Sequence, residues 1–488
     1  MYIVWTWSPV IADFGGDNAT YFLTANLFSP YSQPFNISEY FATHSQYPPL
    51  YPLLLALFGG GDSILIAHIV TTSFLLLAML IIYKWVLALG YGRMHALVLV
   101  VIFSLLPGTY FQVLSIHSEY LYLLLSIAGL YTATLENKRW LWIAAILIAS
   151  AGLTRSAGIS LIFSFIIYLF LNNERNKYTL SVIVIMPMVL WGILNNQNST
   201  SYLTQLSEPY TQDFIISYFH QIGNQCRYLL SAWRTTFTYG ESGHLFLTVY
   251  AGLCIYVMFY RMYMKKLDGI YAFFYLAMIL SWPYPAESIR LLFPVVPVLL
   301  VQTGVFVKNF CRTWKPGYNL LIGNIILEGI LLIIIIPNFI LTVSRFNKPI
   351  EEHLTPYKHT YAWYSPNLQD AISRVNYNHT IISSLKDAKK HIPDEECVYS
   401  IKPSIIGLYM KRISTIPPEI DSSDDAFNKS LQQSSCRYFY FLANRSPSFN
   451  KALYPFERVR KKIDVIKIYY SNGGSKKHLV AILGKLKD

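Results

Sequence analysis

Apolar runs long enough to cross a bilayer recur along this chain as far as residue 345. A soluble protein could neither bury nor expose so many of them. The residue balance agrees: 53% are hydrophobic and only 14% charged, with a mean hydropathy of +0.36. The chain is therefore expected to be a polytopic α-helical membrane protein. Spans are read at 64–89, 95–114, 119–135, 140–154, 157–172, 178–195, 245–261, 268–282, 289–308 and 319–344. With the apolar lead at residues 1–11 they make about eleven. That lead is too short to cross ~30 Å of hydrocarbon. It is either an incomplete helix or a segment that only dips into the membrane. It lacks the basic region and the cleavage site of a signal peptide.

Basic residues settle the expected orientation. Lys84 and Arg93, Lys138 and Arg139, Arg175 and Lys177, Arg261, Lys265 and Lys266, and Lys308, Arg312 and Lys315 fall in alternate short loops. The intervening loops hold few, namely Arg155, Arg227, Arg234 and Arg290. The charge bias puts the first set in the cytoplasm of an inner (plasma) membrane protein. The loops at 12–63 and 196–244, the turn at 282–288 and everything after residue 345 then lie outside. The net charge of +12 reflects inner-face loops and a basic tail, and does not call for nucleic acid.

The composition changes at residue 346. More than half of the 39 Lys and Arg lie beyond it. Short alternating runs appear around Cys397, Arg437, Val465 and His478, separated by turn signals such as Asn472-Gly473. Residues 1–345 are read as the transmembrane domain and 346–488 as a small extracytoplasmic mixed α/β domain. The five cysteines form no close-spaced metal motif, and Cys397 and Cys436 are candidates to pair in the outer domain. No nucleotide-binding or metal-protease signature is present, so neither a cofactor nor a metal is expected.

Two stretches near the start stand out. Asp13 and Asp17 lie at the edge of the membrane, and Ala19–Leu27 has helical apolar spacing in which Tyr21, Phe22, Ala25 and Phe28 can share a face. A helix lying in the interface with Asp17 in its first turn is expected. The plain alternative is that Asp17 only caps it. Pro48-Pro49-Leu50-Tyr51-Pro52 then leads into an apolar run. The order Gly16-Asp17…Tyr21…Ala25 followed by this proline segment resembles the GT-C class of integral-membrane glycosyltransferases. The bacterial families akin to protein mannosyltransferases and aminoarabinose transferases are the nearest in pattern. The resemblance covers roughly residues 12–300. It implies a sugar donor carried on a polyprenyl phosphate, and an acceptor that is a glycan, a lipid or a protein, met among membrane lipids.

Other candidates sit at the outer ends of spans. Glu119, in His117-Ser118-Glu119, matches the place where the resembled families carry a second acidic residue; the bland reading is a first-turn acid complementing the helix dipole. His117 is more plausibly an ordinary interfacial histidine than a base. Arg155 opposes the charge bias, and its fork suits phosphate oxygens unless it merely snorkels. Glu287 and Arg290, three apart at a helix start, could pair locally. The resemblance instead places such an arginine towards the lipid phosphate. Tyr47 stands where relatives carry a basic residue, so His44, or Arg155 and Arg290, would have to supply that charge. The expected roles are general base for Asp17, with Asp13 as its competitor, and acceptor positioning for Glu119. Arg155 and Arg290 would hold the leaving phosphate. A transporter or flippase of lipid-linked glycans is the competing reading, and a non-catalytic assembly scaffold is the third. A transporter would place some ionisable groups near the midplane, whereas these all map to outer ends.

Overall fold

The computed structural model describes residues 2–11, 16–195, 214–241, 243–282, 284–314, 321–360, 367–418, 423–443, 453–473 and 476–487. Among the described residues up to 346, the bundle is built from α1 (Asp17–Leu27), α2 (Leu50–Leu57), α3 (Ile64–Ala88), α4 (Arg93–Leu105), α5 (Pro107–Val113), α6 (Glu119–Thr134), α7 (Trp140–Thr154), α8 (Gly158–Leu171), α9 (Lys177–Leu194), α10 (Phe214–Phe237), α11 (His244–Tyr263), α12 (Leu267–Leu280), α13 (Ser288–Leu292), α14 (Val296–Trp314) and α15 (Leu321–Phe346). Shorter helical turns at Tyr2–Trp5, Ser38–Thr43 and Pro285–Glu287 join them. Among the described residues four segments are long and apolar enough to cross a membrane: α3, α9, α11 and Ile325–Phe346 within α15. Five more apolar helices, among them α4, α7, α8 and α12, are shorter. At 1.5 Å per residue a 14-residue helix such as α8 covers about 21 Å, less than the ~30 Å hydrocarbon core.

Prolines correct two of the expected spans. The run at 95–114 is two helices, because Leu106 is extended (ψ 134°) and Pro107 restarts the chain as a first-turn proline. The run at 289–308 is likewise divided. The short α13 ends at Leu292, ahead of Pro294, and α14 starts at Val296. Arg290 therefore rides on its own five-residue turn. In the lead at 1–11, expected to be too short to span, the described residues hold the helical turn Tyr2–Trp5, and Trp5 is buried against Tyr110, Phe339 and Phe346. The loop at 196–244 contains the 24-residue α10, whose Trp233 and Phe237 are buried in the bundle.

The largest departure concerns α1. An interfacial helix would keep one side exposed, but Asn18, Ala19, Tyr21, Phe22, Leu23, Thr24, Ala25 and Asn26 are all buried, and only Phe28, just past its end, is strongly exposed. The cover comes from Ser38–Thr43, from α2 and from the C-terminal part of the chain.

That part holds α16 (Leu368–Ala388), α17 (Pro403–Met410), α18 (Asp424–Gln433) and five strands, β1 (Cys397–Tyr399), β2 (Ser414–Thr415), β3 (Cys436–Leu442), β4 (Ile463–Gly473) and β5 (Lys476–Leu486). The sheet order is β2-β1-β3-β5-β4, with β2, β1 and β3 parallel and β5 antiparallel to both β3 and β4. Along β3 the side chains alternate. Tyr438, Tyr440 and Leu442 join the main core, while Phe439 and Phe441 join a second cluster with Phe427 and Leu431 of α18. Cys397 and Cys436 form a disulfide between adjacent β1 and β3, with Cα atoms 4.3 Å apart.

Candidate active site

Four ionisable residues from four separate segments meet at one end of the bundle. α1 begins at Asp17 itself, with Gly16 as its N-cap residue and no side-chain cap. Asp17 is therefore free of the capping role, and both its oxygens are engaged elsewhere. Oδ1 accepts a hydrogen bond from the Tyr47 hydroxyl at 2.5 Å, and Oδ2 lies 2.5 Å from Nη1 of Arg290. The Nε of Arg290 reaches Oε1 of Glu119, the first residue of α6. Nη1 of Arg155 meets the same Glu119 oxygen at 2.5 Å. Two carboxylates and two guanidiniums thus form a continuous, charge-neutral chain: Asp17, Arg290, Glu119, Arg155.

Local structure explains why each side chain arrives there. Arg155 is the C-cap of α7, with extended backbone (φ −158°, ψ 138°), and α8 starts three residues later. The corner is tight: a Cβ on Gly158 would lie 2.6 Å from the Gly152 Cα. Only glycine lets the two helices close there. Arg290 is aimed by the short α13, which is pinned by Gln225 donating to the Ser288 hydroxyl (3.3 Å) and Tyr275 donating to the Leu291 carbonyl (2.9 Å). Tyr21 of α1 hydrogen-bonds Ser118 at 2.9 Å, fixing Asp17 relative to Glu119.

Exposure grades along the cluster. Side-chain accessibility is 21% for Asp17, 17% for Arg290, 13% for Arg155 and zero for Glu119. Asp17 and Arg290 are the most accessible members of the cluster, and Glu119 is fully enclosed. The enclosed Glu119 carboxylate contacts both arginines through the same oxygen. Burial pushes the Asp17 carboxyl up, but Arg290, His117 and the Tyr47 hydroxyl together hold it below the ordinary aspartate value.

The remaining candidates divide. His117 is buried and near enough to both carboxylates to act on them electrostatically. Glu287, in the turn before α13, also interacts electrostatically with Arg290, while the ion pairs Arg290 makes among the described residues are with Asp17 and Glu119. His44 makes its described contacts outside the cluster. It is exposed, stacks on Tyr40 with ring centroids 4.3 Å apart, and hydrogen-bonds the Tyr40 carbonyl at 2.8 Å. Asp13 lies outside the described residues. Tyr47, a binding candidate that cannot itself supply charge, donates a hydrogen bond to Asp17. Its adjacency to Pro48 was the signal, but nothing local says what its hydroxyl reaches. Among the described residues no group of His, Cys, Asp and Glu is arranged to hold a metal ion.

Fold and site together define a polytopic helical membrane protein with a buried ionic cluster at one end of the bundle and a β-containing C-terminal domain beside it. No protein-family profile matches the chain, and no curated protein does. Solved structures do. ArnT from Cupriavidus metallidurans bound to undecaprenyl phosphate superposes with a TM-score of 0.50 at 11% identity, covering 99% of this chain and 95% of that one. The apo form of the same protein gives 0.48 at 12% identity, with the same coverage. ArnT is an aminoarabinose transferase of the GT-C fold, so the resemblance read from the motifs holds at the level of fold.

Proposed function

We propose that this chain is a glycosyltransferase that moves a sugar from a polyprenyl-phosphate donor to an acceptor at the extracytoplasmic face, inverting the anomeric carbon. The observation that carries the reading is Arg290 held between Asp17 and Glu119, at the outer ends of helices. The whole-chain fold likeness to ArnT, which in its crystal binds undecaprenyl phosphate, supports a lipid-phosphate donor here. The loop charges and the Cys397–Cys436 disulfide both support an outward-facing site, since disulfides persist in oxidising compartments. We read the five shorter apolar helices and α6 as spans too, which with the four long ones makes ten among the described residues, close to the eleven expected.

The chemistry follows from the geometry. An incoming lipid phosphate competes with Asp17 for the Arg290 fork, which suits phosphate oxygens. Its binding releases one Asp17 oxygen beside the acceptor. Asp17 then takes the acceptor hydroxyl proton, the new bond forms from that oxygen to the anomeric carbon, and the bond to the donor phosphate breaks. The polyprenyl phosphate leaves with the electron pair, and Arg290 and Arg155 stabilise the charge it gains. Glu119 keeps both guanidiniums in place, so this stabilisation is preorganised.

The test is purified protein in liposomes with radiolabelled polyprenyl-phosphate sugars. The reading expects label on acceptor together with an equal amount of free polyprenyl phosphate. Label that changes leaflet while still attached to its lipid would establish the flippase instead.

A further inference from the structure

We propose that the C-terminal domain is part of the active-site machinery, with helix α17 setting where Asp17 stands. This rests on the transferase reading for its kinetic consequence, though not for its geometry.

One helix of that domain grips the chain on both sides of residues 12–15. The Tyr409 hydroxyl, at the far end of α17, accepts a hydrogen bond from the Ile11 N–H at 2.9 Å and donates one to the Ile11 carbonyl at 3.0 Å. A single hydroxyl can do both. Near the start of α17, Ser404 donates to the Gly16 carbonyl at 2.9 Å. That carbonyl also accepts from the Thr20 backbone N–H at 3.1 Å, so it is the first hydrogen-bonding group of α1. Asp17 is the next residue. These contacts join positions 388 and 398 residues apart.

The seat between the two parts is close. A Cβ on Gly407 would come within 2.2 Å of the Phe41 ring, so only glycine allows α17 to lie this near the Ser38–Thr43 turn. Lys411, just past α17, places its Nζ 3.1 Å from the centroid of the Phe35 ring. Ser8 donates to the Pro356 carbonyl at 2.7 Å. Behind α17 lie α16 and the β1 and β2 strands, and β1 is joined to β3 by the Cys397–Cys436 disulfide. A helix packed on a disulfide-linked sheet therefore bears on the backbone one residue from the proposed base. Ser404 and Tyr409 touch no reacting atom, and they are positioning residues.

The experiment uses the full chain carrying Ser404→Ala and Tyr409→Phe together, which removes three hydrogen bonds and keeps the bulk. Turnover is expected to fall by about 10–100-fold, the scale of a ~1 Å misplacement, with the donor KM within about twofold of wild type. Ser404→Thr, which keeps a hydroxyl, is expected to restore the Ser404 part of the loss. Amide hydrogen exchange at residues 17–20 is expected to quicken in the double variant. That readout does not depend on catalysis, so it judges the brace even if wild-type protein transfers no sugar. Unchanged exchange at these amides, or unchanged turnover in the double variant of an active protein, would overturn the proposal. So would a loss shared equally by donor affinity and turnover.

Discussion

Replacing Glu119 by Gln is the most informative change to the cluster. The side chain is fully buried and its Oε1 serves both Arg290 and Arg155. In the native cluster two negative charges balance two positive ones. In Glu119→Gln the two guanidiniums keep Asp17, with Glu287 acting from further off, as negative partners, and Arg155 loses the ion pair it makes among the described residues. Removing one partner of a buried pair costs about 3–5 kcal/mol, because a charge is left uncompensated. At ~1.36 kcal/mol per tenfold, the folded-to-unfolded ratio falls about 10²–10⁴-fold. The assay is chemical or thermal unfolding of detergent-purified protein, followed with and without undecaprenyl phosphate. The lipid phosphate brings the negative charge that the variant lacks. It should therefore stabilise Glu119→Gln more than wild type, since a ligand that binds only the folded form shifts the equilibrium by mass action. A variant as stable as wild type, or one that gains no more from the lipid, would refute both the ionic bookkeeping and the phosphate site.

Three further outcomes are expected. Arg155→Lys keeps the charge and loses the planar fork, so donor affinity should weaken before turnover does, measured as KM against kcat; a merely snorkelling arginine would tolerate the change. Tyr47→Phe removes the hydroxyl that steadies the ionised Asp17. The Asp17 carboxyl lies below the ordinary aspartate value of about 3.9. Its stabilising contribution is therefore present above that pH and lost as pH falls through the native value. Without the hydroxyl that value rises, so the acid limb of the kcat/KM profile should move to higher pH, and an unmoved limb would remove Tyr47 from the site. A reporter active only in the cytoplasm, fused after residue 488, should stay silent, and activity there would reverse the orientation.

Much of this was legible in the sequence, and what was not has identifiable causes. The spans could be read because lipid demands long apolar runs, and β3, β4 and β5 because alternation marks strands. The four cluster residues stood out as ionisable groups at helix ends, where charge is costly unless used. Their partners did not. Arg290 lies 171 residues from Glu119 and 273 from Asp17, and local spacing favoured Glu287. The burial of α1 was hidden for the same reason, since part of its cover is a helix that begins at Pro403. The break at Leu106-Pro107 is different: the proline was in plain view, and the apolar run around it outweighed a signal that should have ended the helix.

The central claim is that Asp17 takes the acceptor proton, and Asp17→Asn tests it most directly. Asparagine matches the size, can still accept from Tyr47, and does not disturb a cap, because Asp17 caps nothing. Single-turnover transfer should be measured on protein already loaded with radiolabelled donor, so that binding and chemistry are read separately. The account predicts retained donor binding with transfer slowed about 10²–10⁴-fold, the scale of a positioned base. Wild-type transfer rates in Asp17→Asn would contradict it.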